Sequence, residues 1–412
     1  ASQASIIAVQ LPALPYKDTS GTGLCVQILD AISYIHLHAA GRKVVINLSD
    51  GAYAGPHDGT SMLERAIDDF YGRNADRSAL VVAAGNQFNE RVHWHGESPA
   101  NGGTAEPITW NILPDDSTDS HLEIWPDSQL TGQALQQLKV RVTPPGLAPL
   151  DMVPFGQTNA LFADGDPLDE SAIAMVAFIC NPPNSFSSIP ATALAPRGMV
   201  HVAVAATRTR QGNGRAAAPH GIWQVELIND GPQPVTFNAY IERDNPALGD
   251  RGPTRQSHFV HANYPRNTGR LAPLDDSCNT SPIKRMGALN SVATSLEGLV
   301  VGGVSVNADA TGLAHPILAP YTASGPGRRT LARDGVDLLA PSDSSQTIRG
   351  IRGCATRSGT SFRMDGTSVA APQVTRAMVN LIATGLDASA AKQSLRTAAN
   401  RKPIKVLGPA ER

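Results

Sequence analysis

The chain has 412 residues, of which 41% are hydrophobic and 17% are charged, and its formal net charge is −2. This composition supports a packed core, leaves room for two domains and excludes a largely disordered chain. The near-neutral charge argues against a nucleic acid or an anionic membrane surface as a partner, and no apolar run is long enough to span a bilayer.

The first 95 residues alternate short apolar runs with amphipathic segments. Apolar runs predict buried strands at residues 5–11, 44–48 and 80–84, and helical spacing of apolar residues predicts helices at 24–38 and 61–70. This order of strands and helices predicts an α/β fold with a parallel sheet flanked by helices. Ligands of such sheets bind at the carboxyl ends of the strands, here at residues 49–51 and 85–86.

From about residue 96 to 276 the pattern changes to alternating apolar and polar residues. Strands with this alternation are predicted at residues 108–112, 121–125, 138–142, 200–204, 222–227 and 236–241. They indicate an inserted antiparallel β-sandwich of the jelly-roll type, with Trp110, Trp125 and Trp223 in its core. Residues 244–276 are rich in Asn, Arg and Pro, which is typical of a long connecting loop.

The α/β pattern returns after residue 276. Strands are predicted at residues 299–304 and 336–341, loops at 287–293 and 312–327, and helices at 373–384 and from a cap at Ser389 to residue 398. The sequence therefore predicts three parts, which are residues 1–95, 96–276 and 277–412. The first and the last of them form one α/β domain.

The four cysteines are Cys25, Cys180, Cys278 and Cys354. They are far apart and form no Cys-x-x-Cys pair, so a zinc site is not expected. Disulfides and buried free thiols both remain open, and the redox compartment remains open with them.

The most informative stretch is residues 363–372, which read Arg-Met-Asp-Gly-Thr-Ser-Val-Ala-Ala-Pro. Ser368 lies where a polar, glycine-rich loop turns into an apolar helix. The positive end of the helix dipole would stabilise negative charge that develops beside its oxygen, which suits a nucleophile. The ordinary alternative is a Ser/Thr cap before a core helix.

Residues 366–372 resemble the nucleophile motif of the subtilisin-like serine proteases, the subtilases. Residues 44–49 resemble the strand ahead of the substrate-binding segment, and residues 81–86 resemble the strand that ends in the oxyanion asparagine. Residues 320–327 and 339–341 are similar to weaker landmarks of the family. The resemblance covers roughly residues 1–95 and 285–400. The inserted sandwich is similar in position to the jelly-roll insertion of the clostridial germination proteases.

The resemblance implies a fold, a reaction and a set of site residues. It implies a serine endopeptidase that cleaves a peptide or protein substrate, with no cofactor beyond the structural calcium ion that the family allows. Secretion is the favoured localisation. The implied site residues are Ser368 as the nucleophile, Asn86 in the oxyanion hole, Ser49, Asp50 and Gly51 along the substrate backbone, and Ala83, Ala84 and Gly85 in a wall of the specificity pocket.

The histidine and the aspartate of the family's triad have no counterpart here. In the family both lie upstream of these motifs, and the histidine belongs to a His-Gly-Thr-His type sequence that this chain lacks. Asp18 and His57 are interpreted as loop residues, and the pair His93 and His95 as a solvated loop. We therefore expect both catalytic residues in sequence before residue 1, in a missing N-terminal segment or propeptide. Without that segment, residues 5–11 should either be separated from residues 44–48 by a gap or be paired with them abnormally.

Other serine enzymes fit less well. All eleven histidines precede Ser368, and Ala370 replaces the second glycine of a Gly-x-Ser-x-Gly elbow, which excludes an α/β-hydrolase. Sedolisins have an aspartate at the position of Asn86. A non-catalytic subtilase relative that acts as a binding or regulatory partner remains open. So does a glycan-binding role for the insertion, which rests on its aromatic strands.

Overall fold

We analysed a computed structural model of the chain. It describes residues 4–12, 22–126, 130, 132–162, 172–181, 197–208, 216–244, 254–265, 275, 279–308, 314–328, 333–344 and 350–400. Sheets dominate the described part and α-helices are few. The helices are α1 (Cys25–Ala39), α2 (Met62–Arg73), α3 (Gly132–Gln136), α4 (Thr367–Ala383) and α5 (Ala388–Asn400), with 3-10 turns at Thr22–Leu24 and Ser291–Thr294.

The strands follow one another from residue 44 to residue 364. In chain order they are β1 (Val44–Leu48), β2 (Ser78–Ala83), β3 (His93–Ser98), β4 (Gly103–Thr104), β5 (Ile108–Ile112), β6 (Ser120–Pro126), β7 (Leu138–Thr143), β8 (Val153–Pro154), β9 (Thr158–Phe162), β10 (Ala172–Asn181), β11 (Arg197–Val204), β12 (Gly221–Asn229), β13 (Val235–Ile241), β14 (His258–Phe259), β15 (Ile283–Lys284), β16 (Leu299–Ala308), β17 (Ala314–Leu318), β18 (Leu338–Asp343), β19 (Ile351–Cys354) and β20 (Ser361–Met364).

One sheet is mostly parallel and carries the helices. Its strands β1, β2, β16 and β18 run parallel, and β17 is antiparallel to β16. Helices α1 and α2 cover one face with residues such as Ile28 and Ile67, and α4 and α5 cover the other with residues such as Val374 and Leu395. Because both faces are covered, β2 is buried along its whole length, which explains the apolar run at residues 79–83.

Local signals define the helix ends. Ser61 and Glu64 form a reciprocal capping box at the start of α2, where each side chain accepts a backbone N–H. At α5 the Asp387 carboxylate accepts the N–H of Ala390 at 2.7 Å. The cap predicted at Ser389 is therefore wrong, since the aspartate two residues earlier satisfies the helix terminus.

Two antiparallel sheets form a β-sandwich between residues 93 and 284. One has the strand order β15-β3-β13-β6-β11-β10-β9, and the other has the order β14-β5-β12-β7-β8 with β4 added to β12. Neither shares a strand with the parallel sheet. Their facing sides enclose a core that contains Trp94, Trp110 and Trp223. The sandwich begins at 93 and ends at 284, a few residues outside the predicted 96–276.

Trp125 corrects one prediction about this core. It is half-buried rather than buried, and it lies under the guanidinium of Arg328, whose carbon is 5.6 Å from the ring centroid. Trp223, by contrast, is fully buried. Strand β6 alternates its side chains between two faces, so a tryptophan one residue away from the buried Ile124 faces outward.

Several predicted loops and strands differ from the structure. Residues 5–11 form no strand and are mostly exposed, so the strand predicted there is wrong. The loop predicted at 312–327 contains β17, and the long loop at 244–276 contains β14. His93 and His95 lie in β3 rather than in a solvated loop. Asp18 and Cys278 lie outside the described residues. Cys354 carries a free thiol, and Cys25 forms no disulfide with another described cysteine.

The outer edge of β1 is open in the described part of the chain. The strand pairs with β2 on one side only. On the other side a cleft of about 970 Å³ separates it from residues 4–11 and runs between α1 and α4. The gap expected between residues 5–11 and 44–48 is therefore present, although residues 5–11 are not a strand.

Candidate active site

Ser368 lies in the first turn of α4, where the sequence predicted it. Gly366 precedes the helix with φ of +117°, a conformation that a residue with a side chain rarely adopts. A Cβ atom at Gly366 would also lie 3.1 Å from the amide nitrogen of Asn86. Ala370 and Ala371 are fully buried against the sheet, so the small residues let the helix begin close to it.

Ser368 is held against the end of β1 by a reciprocal pair of hydrogen bonds. Its hydroxyl donates to the backbone oxygen of Ser49 at 3.0 Å, and the Ser49 hydroxyl donates to the backbone oxygen of Ser368 at 3.1 Å. The side chain of Ser368 remains partly exposed. The predicted nucleophile and the predicted substrate-binding segment are thus in direct contact.

Asn86 is clamped to the same loop by its side chain. The backbone N–H of Thr367 donates to it at 2.9 Å, and the Thr367 hydroxyl lies at 3.1 Å. Since a backbone N–H can only donate, the accepting atom must be Oδ1, and this fixes the orientation of the amide. The Nδ2 group then points away from Thr367 on an exposed side chain and is available as a donor.

Three further residues shape this loop and were not predicted as site residues. Tyr321 accepts the N–H of Gly366 at 3.0 Å through its phenol oxygen. Thr367 is fully buried and accepts the N–H of Gly85 at 3.1 Å. Asn290 donates to the backbone oxygen of Ala83 at 2.5 Å. Tyr321 lies in a stretch that resembles a family landmark, but no sequence pattern indicated the role of Asn290.

The other predicted substrate-binding residues differ in exposure. Asp50 and Gly51 are partly exposed, and the Asp50 carboxylate accepts the N–H of Gly51 at 2.8 Å. Ala83 and Ala84 are buried in the core beside the sheet, and of that group only Gly85 reaches the surface. A pocket wall built from this segment is therefore limited to Gly85.

No histidine in the described part of the chain hydrogen-bonds Ser368. His57 is a loop residue, as predicted, but it is buried, and its two ring nitrogens lie 2.8 Å from the backbone oxygens of Leu289 and Tyr53. Burial lowers the pKa of His57 to about 4. His93 is buried too, and its ring nitrogens contact Met286 and Asn238. Neither imidazole is placed to accept a proton from Ser368.

Metal ligation and membrane spanning are two further properties of the described residues. The described residues contain no group of three or more His, Cys, Asp or Glu side chains arranged to hold a metal ion. None of the described helices has the length and apolar character that a membrane span requires.

The comparisons with known proteins identify a fold and no sequence family. No protein-family model matches the chain, and no curated protein gives a significant match. Among solved structures the chain is similar to the CspB protease of Clostridium perfringens, with a TM-score of 0.60 and 17% sequence identity. The match covers 90% of this chain and 64% of that one, so the chain spans about 64% of the length of that protease. The chain has a protease-like fold.

Proposed function

We propose that the chain is part of the catalytic domain of a subtilisin-like serine endopeptidase, with Ser368 as its nucleophile. The observation that carries the proposal is the clamp around Ser368. A partly exposed serine in the first turn of α4 lies against the end of β1, and Asn86 is locked beside it with an amide donor pointing outward. The protease-like fold supports the same reading.

In the proposed reaction a general base takes the proton of Ser368 as its oxygen attacks the scissile carbonyl. The C–N bond then breaks, the amine leaves with that proton, and water hydrolyses the acyl-enzyme and regenerates Ser368. The carbonyl oxygen becomes an oxyanion that accepts hydrogen bonds from Asn86 Nδ2 and from the N–H of Ser368. The donors fit this task because the Thr367 contact holds the asparagine in place before the substrate arrives. Substrate binds in extended form along residues 49–51, where its backbone pairs with the chain.

The general base comes from a segment outside these 412 residues in this proposal. Two observations support that. The Ser368 hydroxyl donates to a carbonyl oxygen, so no base accepts its proton within the described residues. The cleft beside the open edge of β1 also reaches Ser49, the residue that binds Ser368, so a strand added there would lie close to the nucleophile.

A second candidate is a non-catalytic subtilase relative that binds a peptide or a protein partner. The observation that favours it is the same hydrogen bond, because a serine whose proton is held by a carbonyl is not activated. The two candidates predict opposite outcomes in one experiment.

The experiment compares the 412-residue chain with a protein that also carries the sequence encoded upstream of residue 1. A fluorophosphonate probe and a peptide substrate are applied to both. We expect negligible labelling of the 412-residue chain, since losing triad members costs on the order of 10⁴–10⁶ in rate. The longer protein should be labelled and active, and Ser368→Ala should abolish both. An unlabelled longer protein would favour the binding role, whereas strong labelling of the 412-residue chain would refute the external base.

A further inference from the structure

A second cavity lies next to the proposed substrate-binding segment, between the two parts of the fold. Its volume is about 220 Å³. One side is formed by α1 and the loop after β1, including Ile28, Asp50 and Gly51. The opposite side is formed by the sandwich, through Glu123, Trp125 and Met199. The cavity therefore begins one residue after Ser49, which holds Ser368.

The loop after β1 is tied to the sandwich directly and through Arg328. The N–H of Gly55 donates to the Glu123 carboxylate at 2.7 Å. Arg328 donates to the backbone oxygens of Pro56 at 2.9 Å and Pro126 at 2.7 Å, and it forms a buried ion pair with Asp58 at 2.8 Å. A cavity held in this way exists before a ligand enters it.

The lining is mostly apolar, and besides the hydroxyls of Ser61 and Ser291 it contains two carboxylates at different depths. Asp50 is partly exposed, whereas Glu123 is buried. Glu123 accepts hydrogen bonds from the N–H of Gly55 and from the indole of Trp125 at 2.9 Å, and it shares a hydrogen bond with the carboxyl group of Glu242. Burial raises the pKa of Glu123, and none of the groups that act on it in the described structure is a cation.

A mostly apolar cavity, whose buried carboxylate has no cation among the described groups that act on it, suits a ligand that is apolar along its length and positively charged at its end. A ligand with an apolar stem would contact Ile28, Trp125 and Met199, and a positive head group would offset the cost of the buried negative charge. A cavity of 150 Å³ holds a benzene molecule, so about 220 Å³ holds a lysine or arginine side chain.

We infer that this cavity is a recognition subsite for a lysine or arginine side chain of the peptide substrate, and that the inserted sandwich supplies its selectivity through Glu123. The inference rests on the proposed function for the course of the peptide along residues 49–51. It assigns the insertion a role in choosing the substrate, in addition to its own fold.

The test is calorimetric binding of acetylated hexapeptide amides of alternating Ser and Ala, in which one lysine occupies each position in turn. The protein is the 412-residue chain carrying Ser368→Ala, so binding is measured without hydrolysis. We expect one lysine position to bind at least about tenfold tighter than the same peptide with norleucine, which has the apolar stem and no charge. Equal affinity for the lysine and norleucine peptides at every position would overturn the inference.

Matched variants locate the effect. Glu123→Gln should remove the preference for lysine and leave norleucine binding unchanged, and Asp50→Asn should reduce the preference by a smaller factor. Glu226→Gln is the control, because that carboxylate pairs with Arg141 on the other sheet, and it should retain the full preference. A full preference in Glu123→Gln would also overturn the inference.

Two further measurements keep the result independent of folding and of catalysis. Met199→Lys places a cation in the cavity from the sandwich side, so it should abolish the lysine preference even if Glu123→Gln fails to fold. Titration of Ca²⁺ alone serves as the check for a metal site, and Glu123-dependent binding of the ion in place of lysine peptides would refute the subsite. Failure of Ser368-dependent hydrolysis would leave the binding result intact, so the two proposals can fail separately.

Discussion

The β-sandwich and the parallel sheet differ in how fully their own elements cover the apolar core and pair the backbone of the strands. The sandwich closes two antiparallel sheets over a core in which Trp110 and Trp223 have no exposed surface. The parallel sheet is covered on both faces, but the outer edge of β1 faces a cleft. The residues of the proposed site, Ser49, Asn86 and Ser368, lie on the part with the open edge. Within the described residues the sandwich encloses its own core, whereas the parallel sheet has room for a further segment beside β1.

The largest effect expected from this comparison concerns the sandwich core. Trp223→Ala removes a fully buried side chain, and we expect a loss of about 3–5 kcal/mol in the free energy of unfolding. Trp125→Ala is the matched control, because the same atoms are removed from a half-buried site on the outer face, and its loss should be clearly smaller. Urea denaturation measures both. Equal losses would show that the outer face is packed as tightly as the core.

The next effect concerns a carboxyl group buried under the parallel sheet. Burial raises the pKa of Glu64 from its ordinary value of 4.5 to about 7. Between these values the folded state binds the proton more tightly than the unfolded state does. The contribution of Glu64 to the free energy of unfolding is therefore fully present below pH 4.5. As the pH rises through 7, stability falls by on the order of 3 kcal/mol.

Glu64→Gln tests this pH dependence. The difference in unfolding free energy between the chain and this variant should change across pH 4.5–7, because glutamine does not titrate. The amide can still accept the hydrogen bond from Thr294. Asp69→Asn on the same helix is the control for removing a carboxylate from α2, since that side chain is exposed. A constant difference for Glu64→Gln would contradict the raised pKa.

A third prediction separates the effect of Asn86 on stability from its proposed effect on the reaction rate. Asn86→Ala removes the acceptor for Thr367 and should cost about 1–3 kcal/mol in stability, because a buried N–H loses its partner. Asn86→Asp keeps an oxygen for Thr367 and removes the outward donor. It should retain stability but lower kcat of the complete enzyme by about 10²–10³. Thermal melts and peptide hydrolysis measure the two effects. Full activity in Asn86→Asp would exclude Asn86 from the oxyanion hole.

Much of the fold followed from the sequence because its signals are local. The apolar runs that became β1 and β2, the spacing in α1 and α2, and the position of Ser368 at the start of α4 all depend on near neighbours. The strand predicted at residues 5–11 failed for a nonlocal reason. Its apolar residues favour a strand, but a strand forms only when another strand offers backbone partners.

The candidate site was predictable in part for the same reason. Ser368 and Asn86 lie in short motifs, so the resemblance placed them. The contact between Ser368 and Ser49 joins residues 319 positions apart, and no periodicity encodes such a distance. The outward orientation of Trp125 was missed because alternation within β6 does not reveal which face meets the other sheet. Asn290 was missed because a buried asparagine that holds a backbone oxygen has no sequence pattern of its own.

The smallest expected effect is also the most local, and it tests the open edge directly. The N–H of Val44 donates to the backbone oxygen of Arg77 at 2.9 Å, so this residue faces β2. In a parallel pair the residues alternate between the two edges, so Ile46 faces β2 as well, while Val45 and Asn47 direct their N–H and C=O groups into the cleft. Amide hydrogen exchange should therefore be slow at Val44 and Ile46 and fast at Val45 and Asn47.

Residues of one strand serve here as each other's controls, because they share the same global stability. When the upstream segment is present and pairs with β1, Val45 and Asn47 should become protected while Val44 and Ile46 change little. Uniform protection along β1 in the 412-residue chain would mean that its outer edge is already paired. The edge could then not receive the segment that the proposed enzyme requires.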